Sequence, residues 1–298
     1  MRAYRPSGKV PFFGLLLLFV AGVVAAVLTG GLAFFISYQF NIFLVCIFPI
    51  FMGFIGGLFL SGAVKLGKVR NPLVATIFGL LTGILMVLVF RGAEYYFYWV
   101  WSDSQRIVER RNDNLTQEEL NAAAFQISLE RISLEEFIEF NQELAAAGTT
   151  ITRSASTSSS SGIELDANMT WILWTIEALA IILICIVLPN GTASEPFNEV
   201  ANRWFGGWTW LGSVPIDRRT EFLDLLQRGD FKSARQFITT AALPLPRVDL
   251  EVADGDSTPG IDMLLRVQDS KAGRSGTENS TILQSWIAPQ DFAALTSK

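Results

Sequence analysis

The stretch "VFRGAEYYFYWVW", Val89–Trp101, ends a long apolar run with two opposite charges one helical turn apart, followed by six aromatic residues in seven positions. An apolar helix tolerates Arg91 and Glu94 only if they pair, reach water or serve a function, because an unpaired charge in hydrocarbon costs at least about 3 kcal/mol. Aromatic side chains with polar tips collect where hydrocarbon meets water. The stretch therefore reads as the outer end of a membrane helix, and it orients the whole chain.

Working outward, half of the 298 residues are apolar, and their distribution is uneven. Nothing from Val10 to Val64 is charged, whereas 102–168 and 190–298 are ordinary polar sequence. Four runs reach the roughly 20 residues needed to cross a bilayer: Phe12 to Tyr38, Ile42 to Val64, Leu73 to Trp101 and Met169 to Leu188. The first far exceeds the apolar core of a signal peptide and is read as a retained anchor.

Lys and Arg beside short loops set the orientation. Arg2, Arg5 and Lys9 precede the first span, Lys65, Lys68 and Arg70 follow the second, and the turn between them has none. The N-terminus and the 65–71 loop are thus expected in the cytoplasm, 102–168 outside, and the C-terminus back in the cytoplasm. In this frame Trp99, Trp101, Trp171 and Trp174 form one outer aromatic belt. Glu177 lies about one turn below Trp174, at the depth of Arg91, so Arg91, Glu94 and Glu177 form the expected intramembrane charge cluster. Towards the inner side, Gly53 and Gly57 in span two, and Gly79 and Gly83 in span three, are spaced by four. This pattern lets helices approach closely and predicts a tight hairpin of spans two and three.

The external segment predicts helices over about 116–131 and 134–147, started by capping boxes at Thr116/Glu119 and Ser133/Glu136 and ended by Gly148. A Ser/Thr linker follows. After Pro189, "SEPFNEVANRWFGGWTWLG" repeats apolar residues at the helical period. It is read as an amphipathic helix in the membrane interface with Trp204 and Trp208 on its apolar face. Beyond it come a helical hairpin broken at Gly229, two strands pairing Leu250 and Val252 with Leu265 and Val267, a third strand at "STILQSWI", and a closing helix with Pro289 in its first turn.

The expected fold is an all-α polytopic membrane bundle of four transmembrane helices with a small cytoplasmic α+β domain and a short external helical segment. Its parts are a three-helix transmembrane region (1–101), the external segment and linker (102–168), the fourth transmembrane helix (169–189), the interfacial helix (190–212) and the α+β domain (213–298).

Histidine is absent and there are two cysteines, Cys46 and Cys185. This removes the commonest general base and metal ligand and leaves no zinc or disulfide framework. At different depths in their spans, the two thiols are expected not to pair. "GAVKLGKV" approaches a phosphate-binding loop, but Val69 stands where the magnesium-binding hydroxyl belongs. Asp254, Asp256 and Asp262 lack calcium-loop spacing, and no basic face points to nucleic acid. The chain is therefore expected to be no enzyme and to need no cofactor or metal. Its partners are the lipid bilayer and a protein held by the cytoplasmic domain, in a cell-membrane scaffold or anchor. The competing reading is a small transporter, channel or transport accessory that uses Arg91, Glu94 and Glu177.

Overall fold

The computed structural model describes residues 2–40, 47–111, 115–151, 163–200, 202–241, 243–253, 263–274 and 276–296. Cys46, Asp254, Asp256, Asp262 and the linker residues 152–162 lie outside them. The chain forms two compact units. One is 9–193; the other joins 1–8 to 194–298.

The larger unit holds four helices long and apolar enough to cross a membrane. They are α1 (Phe12–Phe40), α2 (Ile47–Leu66), α3 (Pro72–Glu94) with its continuation, and a later helix, Ala167–Ala193. Asn71 starts α3: its side-chain oxygen accepts the N–H groups of Leu73 and Val74, and Pro72 occupies the first turn, where a missing N–H costs nothing. The helix expected to stop at Trp101 does not stop. It widens into π-helical turns over Tyr95–Trp101 and continues as α4 (Ser102–Arg111), giving 40 unbroken helical residues. Ser102 and Ser104 fit inside because each hydroxyl bonds a carbonyl of the preceding turn, Tyr98 and Val100 respectively. The boundary at 101/102 therefore falls within one helix.

Helices α5 (Gln117–Glu130) and α6 (Leu134–Ala147) follow. Thr116 and Glu119 make a reciprocal capping box, and Ser133 caps α6 by accepting the Glu136 N–H. Strands β2 (Thr149–Ile151) and β3 (Ile163–Leu165) pair antiparallel and lead into α7 (Ala167–Ala193). Its C-terminal end is tied to the start of α3, where Asn190 donates to the Pro72 carbonyl and the Thr76 hydroxyl.

The smaller unit is a five-stranded antiparallel sheet in the order β1-β9-β8-β7-β6. It comprises β1 (Arg2–Ala3), β6 (Trp208–Pro215), β7 (Arg247–Ala253), β8 (Met263–Gly273) and β9 (Gly276–Ile287). Leu250 pairs with Val267 and Val252 with Leu265, in the expected register. Helices α8 (Arg219–Arg228), α9 (Phe231–Arg235) and α10 (Pro289–Thr296) carry Phe222, Leu226, Phe231 and Leu295 into one core with Leu250, Leu265 and Val267. Gly229 separates α8 from α9 at φ 78°, a left-handed turn that strains any residue with a Cβ. The N-terminal residues, read only as a basic tail, supply the edge strand: Arg2 pairs with Trp286 and Ala3 with Ser285.

The interfacial helix expected over 190–212 is not formed. Helix α7 runs on to Ala193. A short hairpin follows, β4 (Phe197–Asn198) against β5 (Arg203–Trp204), and β6 then begins at Trp208. Gly206 and Gly207 are poor helix formers, and the backbone after them gains a complete ladder with β7. Trp204 packs edge-on against Phe197 at 5.1 Å, and Trp208 lies under the Arg266 guanidinium at 3.9 Å. Their rings are thus engaged within the sheet unit.

Alternation along β7 buries Val248, Leu250 and Val252 on one face and puts Arg247, Asp249 and Glu251 on the other. Asp249 is buried there and accepts from Ser213, Ser270, Trp210 and Arg247. Burial alone would raise its pKa, but these donors together outweigh it and hold the carboxyl below its usual range. A depressed folded pKa contributes stability that is present above the unfolded value, near 4, and is lost as pH falls through the folded value. Asp249→Asn is expected to cost about 1–3 kcal/mol at pH 7 and progressively less below about pH 4. Hydrogen exchange of β7 amides at pH 7 and pH 3 checks this, and an equal cost at both would refute it.

Candidate functional site

The ring-rich stretch is a docking core. Tyr95 is 3% exposed. Its ring packs on Phe137 and Phe140 of α6, and its hydroxyl lies 3.4 Å from the Arg131 carbonyl and from Glu136. Trp99 stands edge-on to Phe140 at 6.0 Å. Tyr96 shares a 3.1 Å hydrogen bond with Ser128 of α5, and Trp101 packs beside Val108, Leu120 and Ala124. Phe97 and Tyr98 instead meet Phe34 and Tyr38 of α1. The π turns distribute successive rings among three neighbours, so the α5–α6 hairpin is seated on the end of α3. Ion pairing of Arg131 with Asp103 adds to the seat. Of the four tryptophans expected in one belt, Trp171 and Trp174 form their own edge-on pair at 5.2 Å.

Beneath these rings Arg91, Glu94 and Glu177 lie in one region of the bundle. Arg91 donates to Glu94 at 2.7 Å, both side chains being 14% exposed. One face of its guanidinium lies 3.8 Å from the Trp174 ring centre, a cation–π contact strengthened by poor solvation. Glu177 is 6% exposed. It lines, with Arg91, Trp174, Pro49 and Met52, a cavity of about 30 Å³, room for about one water. Arg91 therefore takes its helical neighbour as ion-pair partner and its ring partner from α7, while Glu177 borders the same cavity.

The four glycines form close-packing seams, but not between α2 and α3. Helix α7 lies between them and takes both small-residue faces. A Cβ on Gly53 would come 3.0 Å from the Ile181 carbonyl oxygen, and one on Gly57 2.6 Å from Leu188. A Cβ on Gly79 would come 2.3 Å from the Cys185 carbonyl oxygen, and one on Gly83 2.8 Å from the Ile182 Cα. Cys185 is buried as a free thiol between Gly53 and Met86. A period of four shows that a helix wants a close neighbour, not which one.

Sequence reading missed a groove of about 450 Å³ among α3, α6 and α7. Its lining is mostly apolar, from Leu88, Ile138, Trp171 and Leu179, with Arg91 and Asn141 among the polar exceptions. The apolar face of α6 was legible; its station beside Arg91 was not. Among the described residues no cluster of three or more metal-ligating side chains occurs. No family model, curated protein or solved structure matches the chain.

Proposed function

We propose that this chain is a non-enzymatic multi-pass membrane anchor that presents its sheet unit to a protein partner in the cytoplasm. The observation that carries the reading is how the bundle disposes of its charges. Arg91 is satisfied by Glu94 and Trp174 beside a cavity with room for one water, the arrangement of a lock rather than a conduit. The outward surface supports membrane insertion. Phe19, Leu81 and Val187 are 55–63% exposed, where a helix facing water would carry polar side chains. The pairing of β1 with β9 supports a common side for both termini, and the Lys and Arg bias assigns that side to the cytoplasm.

On the sheet unit, β6 is an edge strand. Among the described residues its outer side is bridged only where Ser213 meets Thr239. Its first half therefore offers backbone groups to an added strand, and Thr209 there is exposed. The full chain purified in mild detergent is expected to carry a stoichiometric protein partner. Thr209→Lys, which blunts a strand edge, is expected to release it without lowering thermal stability. Retention of the partner by Thr209→Lys would move the docking surface elsewhere, and purification without any partner would remove the scaffold reading. The transport reading keeps one support, the buried Glu177 at the Arg91 cavity. Proton or ion flux in proteoliposomes that Glu177→Gln abolishes would establish it over the anchor.

A further inference from the structure

We propose that the corner between α5 and α6 is sunk into the lipid surface, with Phe125, Leu129, Ile132, Leu134 and Ile138 among acyl chains. Helix α6 is then an amphipathic helix lying in the membrane boundary, not a cap surrounded by water. The inference rests on the membrane part of the reading above and is independent of the anchor role.

The residue pattern of α6 comes first. At about 100° per residue, Phe137, Phe140, Asn141 and Leu144 fall on one flank of the helix, Leu134 and Ile138 on the next, and Glu135, Glu139 and Glu143 beyond them. The first flank is the docked one: Phe137 and Phe140 pack on Tyr95, and Phe140 on Trp99. The three glutamates are exposed, as charges should be. Leu134 and Ile138 are exposed as well, at 75% and 48%, although they lie between a packed flank and a charged one.

Helix α5 repeats the arrangement, but only towards its C-terminal end. Leu120, Ala124 and Ser128 are buried on its docked side. Phe125 and Leu129, four residues apart, are exposed, and Ile132 in the corner joins them at 54%. The first turn of the same helix carries Glu118 and Glu119 instead. Large exposed apolar side chains thus gather at the corner and give way to charge away from it. Such a gathering marks an interaction surface, and its placement is that of a hairpin tip dipped into an apolar layer.

Two contacts identify the layer as lipid. The Tyr95 hydroxyl accepts the Ser133 N–H and donates to the Arg131 carbonyl, both at 3.4 Å, so the corner is level with Tyr95. Tyr96, Tyr98, Trp99 and Trp101 follow outward along the same helix. Rings with polar tips collect where hydrocarbon meets water, which sets the corner at that boundary and not above it. Secondly, Ile138 lines the groove of about 450 Å³ together with Leu88 of α3 and Leu179 of α7, both 51–52% exposed. The outward apolar surface of two spans therefore continues onto α6, and the acyl chains that cover Leu88 and Leu179 reach Ile138. Helix α6 has no Lys or Arg, so its immersion rests on apolar area and asks for no anionic head group.

Thiol labelling of the full chain, one copy per phosphatidylcholine nanodisc, tests the assignment. A charged maleimide attacks the thiolate, and a thiol among acyl chains is shielded and held protonated. Leu134→Cys and Ile138→Cys are expected to label at least about tenfold more slowly than Glu139→Cys and Glu143→Cys. The wild-type chain, run in parallel, gives the contribution of the native thiols. Both positions are open on the chain's own surface, and one copy per disc leaves no second chain to cover them, so protection reports lipid. Labelling of Leu134→Cys and Ile138→Cys as fast as Glu139→Cys would overturn the proposal and leave the face to a protein partner. Leu81→Cys, at a position 55% exposed on α3, separates this failure from that of the membrane reading. Protection of Leu81→Cys beside rapid labelling of Leu134→Cys would sink the immersed corner alone, whereas rapid labelling of Leu81→Cys would remove the membrane reading itself.

Discussion

Glu94→Gln is expected to cost roughly 3 kcal/mol of stability, because it removes the bonded acid from the Arg91 guanidinium in an apolar bundle. The figure sits at the low end for a broken buried pair, since both side chains keep some exposure. Arg91→Met combined with Glu94→Leu is expected to recover at least half of the loss, as removing both charges costs far less than stranding one. A double-mutant cycle on thermal unfolding in detergent reads the coupling directly. The coupling of Arg91 with Glu94 is expected to exceed that of Arg91 with Glu177, because the first pair is bonded at 2.7 Å and Arg91 reaches α7 through the Trp174 ring. A larger coupling to Glu177 would mean that Arg91 turns away from Glu94 and bridges α3 to α7 by charge rather than by its contact with Trp174. The lock would then span the bundle, and each single substitution would loosen the α3–α7 seam.

Such a result would bear on what the sequence could and could not disclose. The depth of Arg91, Glu94 and Glu177 followed from counting residues along straight helices, and the structure brings Arg91 and Glu177 to one cavity, with Glu94 bonded to Arg91. Pairing depended on side-chain direction, which counting does not resolve: Arg91 and Glu94 are three apart on one face, the local geometry that favours a bond within the helix. The caps at Thr116 and Ser133, and the strand register at Leu250 and Val252, were legible because each is a local rule with a local cause. Three features were not. The two residues of β1 carry no periodic signal, and only the far end of the chain gives them a partner. Residues 197–211 have a helical apolar period, yet Gly206 and Gly207 weaken the helix and β7 offers a ladder. The insertion of α7 between α2 and α3 is a tertiary choice among three helices with similar small-residue faces.

That last choice predicts the second large effect. Gly79→Ala is expected to cost about 3 kcal/mol or more, although it adds a single methyl group to a helix and would stabilise an isolated one. The added Cβ would stand 2.3 Å from the Cys185 carbonyl oxygen and 2.9 Å from the Ile186 Cα. Both are backbone atoms of α7, so no rotamer change can clear them and the helices must part. In an apolar surrounding, helix association rests on close packing and not on exclusion of water, so parting a seam forfeits most of what holds it. Two controls give the expectation its meaning. Gly56→Ala would press on the Met86 Sδ and Cε at the end of a flexible side chain, and on the Cys185 sulfur. Its cost is therefore expected to fall near 1–2 kcal/mol, the ordinary range for overpacking. Gly62→Ala meets nothing within 4 Å and is expected to be neutral or slightly stabilising, by up to about 1 kcal/mol. The measurement is thermal unfolding of the three variants in one detergent. If Gly79→Ala behaves like Gly62→Ala, then α7 does not lie against α3. The glycine faces of α2 and α3 would be free to meet each other, and Arg91 would have to find its ring partner somewhere other than Trp174.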